Sequence, residues 1–400
     1  MVLPPGHRGN FPRVNLLRRH HLLCYTIEGL NSFGTVLYFT YVYFLLHAKF
    51  GFGDMANLAV AALLGLVYAV AAWQGGKFGQ RHGNFAALKL GFGLMAVSYL
   101  VASQLPTAIG QIIGAALVSL GMCFTWPVLE ALISEGETPA HIPHAVGIYN
   151  ITWAWTNAGA LFIGGTIVEK FGYASIYWLP LGIVLLQLVL TFWLEKIHVT
   201  PAKGGSAPTP DPNRPSPARA KNFQQLAWLA NPFAYIAINT LIAVLPGVAA
   251  KFHLTPMFAG FACSLWGFAR LATFIVLWRW HGWHYRFRWL VVAFTLLIIS
   301  FALILVVPAL PMVLAAQVFF GAAIGLIYYS SLFYAMDASD TKSEHGGIHE
   351  AAIGVGNFFG PATGAAALWL APQNPGTGAW AVTGLLALGF GGLLWLRKRA

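Results

Sequence analysis

Chemistry in this chain turns first on Glu28. It ends the stretch His20-His21-Leu22-Leu23-Cys24-Tyr25-Thr26-Ile27-Glu28, and Asn31 follows at i+3, one helical face along. A carboxyl inside an apolar run can bind or relay a proton, or touch a polar substrate. Near the end of such a run it can instead pair with a neighbouring basic side chain. Arg270, in Leu265-Trp266-Gly267-Phe268-Ala269-Arg270, has the complementary options of an acidic partner across a bundle or an anionic substrate. Glu350 follows His345 and His349, which are spaced i and i+4. With Glu344 or Glu350 those histidines raise metal binding, but no complete ligand set is evident and a helix-end charge network explains them more simply. The same two readings apply to Glu130, Glu135, His141 and His144. No metal or cofactor is expected. The chain also lacks a Gly-x-x-x-x-Gly-Lys-Ser/Thr sequence, so nothing supports ATP hydrolysis.

Uncharged polar residues make a second set. Asn150, Thr152, Asn157, Gln317, Tyr328, Tyr329, Ser330 and Asn357 lie in apolar runs and need hydrogen-bonding partners in a dry layer. They can line a polar cavity, and helix-to-helix hydrogen bonding accounts for many of them equally well.

The elements that must position these residues follow from composition. The chain has 400 residues, 58% hydrophobic and only 9% charged, whereas a soluble globular chain carries about 25% charged residues. Too few charges remain to cover a water-soluble body. A helix needs about 20 mostly apolar residues to cross the hydrocarbon layer. Segments meeting that test lie near 22–46, 55–75, 85–104, 107–131, 143–167, 173–194, 226–249, 257–279, 288–307, 310–334, 347–370 and 379–396. The expected fold is all-α and polytopic, with twelve transmembrane helices. Between the sixth and seventh spans, Pro201 to Lys221 is rich in Pro, Ala, Gly, Ser and basic residues and reads as a flexible linker. The chain thus divides into residues 1–21, a six-helix bundle over 22–195, a linker over 196–225, a second bundle over 226–396 and a basic tail, 397–400.

Charge sets the orientation. With the N-terminus inside, the inner side receives Arg8, Arg13, Arg18, Arg19, Lys77, Arg81, Arg279, Arg286, Arg288, Lys342, Arg397, Lys398 and Arg399 as well as the linker's basic residues. The outer side receives Lys49, Lys170 and Lys251. Both termini are therefore expected in the cytoplasm and the chain in the cytoplasmic (inner) membrane, in contact with lipid. Nothing at the N-terminus reads as a cleavable signal. The net charge of +11 comes in short clusters between apolar stretches, not on one surface, so nucleic acid is not an expected partner. Cys24, Cys123 and Cys263 all fall in apolar stretches and suggest no disulfide framework. A weak repeat is present: Gly147-Ile148-Tyr149-Asn150 precedes Asn157 by the same spacing with which Gly347-Ile348-His349-Glu350 precedes Asn357. Pro127 after Trp126, and Pro361 after Gly360, mark places where spans are expected to bend.

The segment Gly76-Lys77-Phe78-Gly79-Gln80-Arg81-His82-Gly83-Asn84 carries the most specific motif. It resembles the cytoplasmic loop of the major facilitator superfamily, with Gly76, Arg81 and Gly83 at matching places. Gln80 stands where the family usually has Asp, and Asn84 where it often has Arg. The resemblance implies two bundles enclosing a central cavity, and it gives Gly76, Gln80, Arg81 and Gly83 a part in a cytoplasmic gating loop. It also implies that Tyr38, Tyr41, Trp126, Asn157, Asn239, Tyr328, Tyr329 and Asn357 line a substrate cavity. Glu28, Arg270 and Glu350 are the residues for proton coupling or charge pairing, with Glu28 first among them. The function expected is secondary active transport of a small solute by alternating access, with protons as a coupling partner and no catalysis, one chain working alone. A lipid- or solute-modifying membrane enzyme and a non-transporting sensor are the alternatives.

Overall fold

The structure is a computed structural model that describes residues 11–135, 141–198, 216–338 and 342–399. These residues form thirteen α-helices and no strand. In chain order they are α1 (Phe11–Phe50), α2 (Asp54–His82), α3 (Asn84–Gln104), α4 (Ala108–Met122), α5 (Trp126–Ser134), α6 (Ile142–Phe171) and α7 (Ser175–Ile197). The second set is α8 (Pro217–Lys251), α9 (Pro256–Arg279), α10 (Phe287–Val306), α11 (Leu310–Ala338), α12 (Lys342–Leu370) and α13 (Thr377–Arg399). Among the described residues ten stretches are long and apolar enough to cross a membrane, α4 and α5 counting together as Ala108–Ile133. Two of the twelve expected spans, α6 and α12, fall outside that set. They carry polar residues such as Asn150, Asn157, Glu350 and Asn357 on faces turned to other helices.

Large apolar side chains stay exposed around the outside, among them Trp155, Phe171, Val189 and Leu388. In water such a belt would aggregate; against lipid tails it is the ordinary outer surface of a bundle. Inside, α1 packs on α6 and α7, and α3 on α4 and α7. In the second set α8 packs on α11 and α12, and α11 on α9 and α10. Two long seams join the sets, α2 along α12 and α6 along α9. Small residues make these approaches close. A Cβ on Gly65 would stand 2.4 Å from the Asn357 carbonyl, and one on Gly165 would stand 1.9 Å from the Pro256 carbonyl oxygen.

The start of α1 and the end of α13 lie at one face, the terminal face. There the Tyr25 hydroxyl donates to the Ala145 carbonyl, His144 stacks near Trp278, Arg219 donates to the Tyr285 carbonyl, and Arg397 lies over Phe287. Cys24, Cys123 and Cys263 are all free and buried.

Three local expectations need correction. The segment 76–83 is not an open loop: α2 continues to His82, and the turn into α3 is the single residue Gly83. Its φ of 92° and ψ of 150° suit only glycine. The linker ends earlier than Lys221, because α8 starts at Pro217, with the Ser216 hydroxyl accepting from the Arg219 amide. Residues 199–215 lie outside the described residues. The proline bends are also unequal. The first half breaks between α4 and α5, where the amides of Cys123, Phe124 and Thr125 bond three residues back to Leu120, Gly121 and Met122. Pro127 then sits in the first turn of α5, where no amide hydrogen is needed. Pro361 lies inside an uninterrupted α12.

Candidate functional site

Between the two sets of helices lies a cavity of about 180 Å³. Its walls come from α1, α2, α4 to α6, α8, α9, α11 and α12, so both sets build it. Residue order along the helices gives it a polarity. Towards the terminal face stand Glu28, Glu130, Tyr149, Tyr68 and Glu350. Arg270, Trp153, Ile238 and the amides Asn157, Asn239 and Asn357 come next, and Phe39, Thr40, Tyr43, Leu161 and Ile242 line the far part.

The carboxylates are held by neutral donors. Glu28 Oε1 accepts from the Ser32 hydroxyl at 2.7 Å and from Trp126 Nε1 at 3.2 Å, and the Tyr149 hydroxyl lies against the same group. Ser32 is one turn further along α1, and Trp126 is presented by the first turn of α5, directly after the break. The other Glu28 oxygen has no hydrogen-bond partner among the described residues. Among the described residues no basic side chain pairs with Glu28. Tyr68, from α2, donates to Glu350 of α12 at 2.5 Å, which ties the two sets together across their seam. Glu130, one turn after Trp126, is near enough to Glu28 and Glu350 for their charges to interact.

Arg270 is 4% exposed and makes no ion pair among the described residues. Its guanidinium lies 4.4 Å from the Trp153 ring centre and 5.0 Å from that of Trp266. Nε and Nη2 have no hydrogen-bond partner among the described residues. Tyr235 and Tyr328 stand where they feel both Arg270 and the carboxylates. Deeper in, Asn239 Nδ2 donates to Asn357 Oδ1 at 2.5 Å, while Asn157 Oδ1 is unpartnered among the described residues.

Of the cavity residues expected from sequence, Trp126, Asn157, Asn239, Tyr328 and Asn357 line this space, as do Glu28, Arg270 and Glu350. Tyr38, Tyr41 and Tyr329 do not. Tyr38 packs edge-on against Tyr99 and Tyr177, Tyr41 donates to the Leu161 carbonyl at 3.1 Å, and Tyr329 packs on Phe274 and Trp283. Sequence reasoning passed over Tyr68, Trp153, Tyr235 and Trp266, which carry no charge to mark them. It also set Glu130 with Glu135 and His144, a group the structure divides. Glu135 accepts from Asn84 Nδ2 at 2.7 Å and pairs with His198 at 3.5 Å on the terminal face, while His144 packs near Trp278. The side chains of Glu344, His345 and His349 lie outside the described residues. Among the described residues no group of three or more His, Cys, Asp or Glu could hold a metal ion.

The segment expected to gate forms the last turns of α2. A Cβ on Gly79 would meet Val128 of α5 at 3.2 Å, and Gly76 lies in the same turn of α2 as Lys77, whose ammonium sits 3.3 Å from the Trp73 ring centre. Arg81 is exposed, and Gln80 is exposed beside it.

Comparison with known proteins agrees with this layout. A family model described as Major Facilitator Superfamily matches residues 22–339. The chain is similar to the Uncharacterized MFS-type transporter YvkA of Bacillus subtilis (strain 168), 25% identical over 123 residues, or 31% of this chain and 28% of that protein. The chain thus matches less than a third of that relative's length. Among solved structures it resembles the human organic anion transporter MFSD10 (TETRAN), at a TM-score of 0.67 and 14% identity, covering 98% of this chain and 100% of that one. It also resembles a bacterial homologue of the human drug peptide transporters PepT1 and PepT2, at a TM-score of 0.66 and 15% identity, covering 96% and 99%. A bacterial homologue of the human lysosomal transporter Spinster, inward-facing and occupied, gives 0.64 and 15%, covering 98% and 96%. At such identities the likeness is one of fold.

Proposed function

The chain belongs to the Major Facilitator Superfamily and is a membrane transporter, and from that premise we propose that it moves a small solute by alternating access, driven by coupled protons. The observation that carries this reading is the shared cavity. Glu28 and Glu130 from the first set face Glu350 and Arg270 from the second, with few polar partners between them. A carboxyl enclosed by apolar walls is carried at least cost when neutral, and it can release its proton where the cavity opens to water. Glu28 is the coupling residue proposed here, since only hydroxyl and indole donors hold it.

In this reading the moving bodies are two six-helix bundles, 22–195 and 226–396, joined by 196–225, of which 217–225 is the first part of α8. They rock along the α2–α12 and α6–α9 seams, as repeats do around a fixed central site. Gly76, Gln80, Arg81 and Gly83, at the terminal end of α2, serve as the cytoplasmic gating segment. The basic excess of the terminal face supports cytoplasmic termini and an inner-membrane location. One chain encloses the whole cavity, so a single copy suffices.

The test is solute-dependent proton movement in sealed proteoliposomes, across sugars, organic anions, amino acids and cationic drugs, with wild type and Glu28→Gln side by side. Proton movement with one solute class in the wild type, lost in the variant while labelled solute still binds, is the expected result. Undiminished proton movement in Glu28→Gln would remove Glu28 from the mechanism.

A further inference from the structure

Arg270 presents a set of unused hydrogen-bond donors. A buried guanidinium without a counter-charge is costly, yet none of the three carboxylates in the same cavity pairs with it. The faces of Trp153 and Trp266 offset part of that cost by cation–π attraction. They leave the guanidinium's hydrogen-bonding edge buried and without a partner among the described residues. The two unpartnered nitrogens, Nε and Nη2, lie on the same edge of the group. That edge matches the two oxygens of a carboxylate held side-on.

We propose that the transported solute is a small organic monocarboxylate whose carboxylate docks on the Nε–Nη2 edge of Arg270. This rests on the transporter reading given above and names its substrate class. The rest of the cavity selects for the rest of the molecule. Towards the far side Phe39, Leu161 and Ile242 offer apolar walls for a ring or short alkyl body. Towards the terminal face Glu28, Glu130 and Glu350, when ionised, disfavour a second negative group on the same solute. The volume of about 180 Å³ lies below the roughly 300–1,000 Å³ of pockets that enclose drug-sized ligands, which limits the body to about one ring.

Matched ligands that differ only in charge test this without any transport step. Calorimetric titration of the full-length protein in detergent would use benzoate, benzamide and benzylammonium, then hexanoate, hexanamide and hexylammonium. The expected result is preferential binding of at least one carboxylate over its neutral and cationic counterparts. Arg270→Gln should weaken that carboxylate by roughly 30-fold or more and erase the preference. Arg270→Lys keeps the charge but not the two-pronged edge, and it should weaken the carboxylate while leaving the amide unchanged, which serves if the Gln variant does not fold. The proposal is overturned if no carboxylate binds better than its amide, or if the preference survives in both variants. A carboxylate that binds as expected but is not taken up by proteoliposomes would sink the transport reading and leave the Arg270 site standing.

Discussion

Tyr38 and Tyr328 are the same residue type in similar apolar surroundings, yet only one meets the cavity. Tyr38 is fully buried, with its ring against Tyr99 at 5.0 Å and its hydroxyl unpartnered among the described residues. A buried hydroxyl without a partner costs on the order of 1 kcal/mol or more. Tyr38→Phe should therefore leave solute uptake unchanged and raise the melting temperature slightly, as unfolding scans and proteoliposome uptake would show. Loss of uptake would return Tyr38 to the transport path. The sequence offers no means of telling these tyrosines apart. In a soluble helix the polar face marks the outside, but in a bilayer both the lipid side and the core are apolar. Residue type pointed to Glu28, Arg270 and the asparagines, which line the cavity, because charge and amide groups are excluded from the lipid side. Aromatic residues are tolerated on either side, and Tyr38, Tyr41 and Tyr329 lie away from the cavity.

At the scale of elements, apolar length was enough to place most spans, whereas their ends and breaks depend on local backbone bonding. The joint from Cys123 to Thr125 turns Glu130 into the cavity and leaves Glu135 outside, between Asn84 and His198. Spacing alone put the two glutamates together because it could not show that the helix restarts at Trp126. Burial raises the Glu135 carboxyl above its ordinary range, with His198 and the Asn84 hydrogen bond pulling it back. A carboxyl raised in the folded state favours the fold while protonated. That contribution is complete below the unfolded pKa and is lost as pH rises through the folded value. Glu135→Gln never ionises and can still accept from Asn84. Its melting temperature should thus match wild type near pH 4 and exceed it modestly near pH 7, about where an unperturbed carboxyl is respectively half and fully ionised. A wild type more stable than the variant at neutral pH would show that the His198 pair outweighs burial.

Across the whole molecule the two seams are the structural commitment. Linker texture and the matched spacing before Asn157 and Asn357 pointed to two halves, and both asparagines line the cavity from the seam helices α6 and α12. Which helices cross between halves was not legible, because it depends on glycines whose meaning appears only when a partner backbone lies opposite. Gly65→Ala would place a methyl 2.4 Å from the Asn357 carbonyl. Overpacking of that kind costs about 1–3 kcal/mol, so uptake and melting temperature should both fall. Gly93→Ala, whose methyl would meet open space, is the matched control and should leave both unchanged or slightly improved. Equal behaviour of the two variants would mean that the α2–α12 approach has slack.

The burial of all three thiols has a practical corollary for following the protein at work. Cys24, Cys123 and Cys263 are withdrawn from the surface, so a thiol-reactive dye added to the intact fold should find little to modify. A reporter cysteine introduced at exposed Lys49 or Arg81, on opposite faces, could then be labelled against the natural background. Spectroscopic distances from each such label to a second one across the seams, Lys49 to exposed Lys251 or Arg81 to exposed Arg288, would follow each face as it opens, without first stripping the chain of its own sulfur.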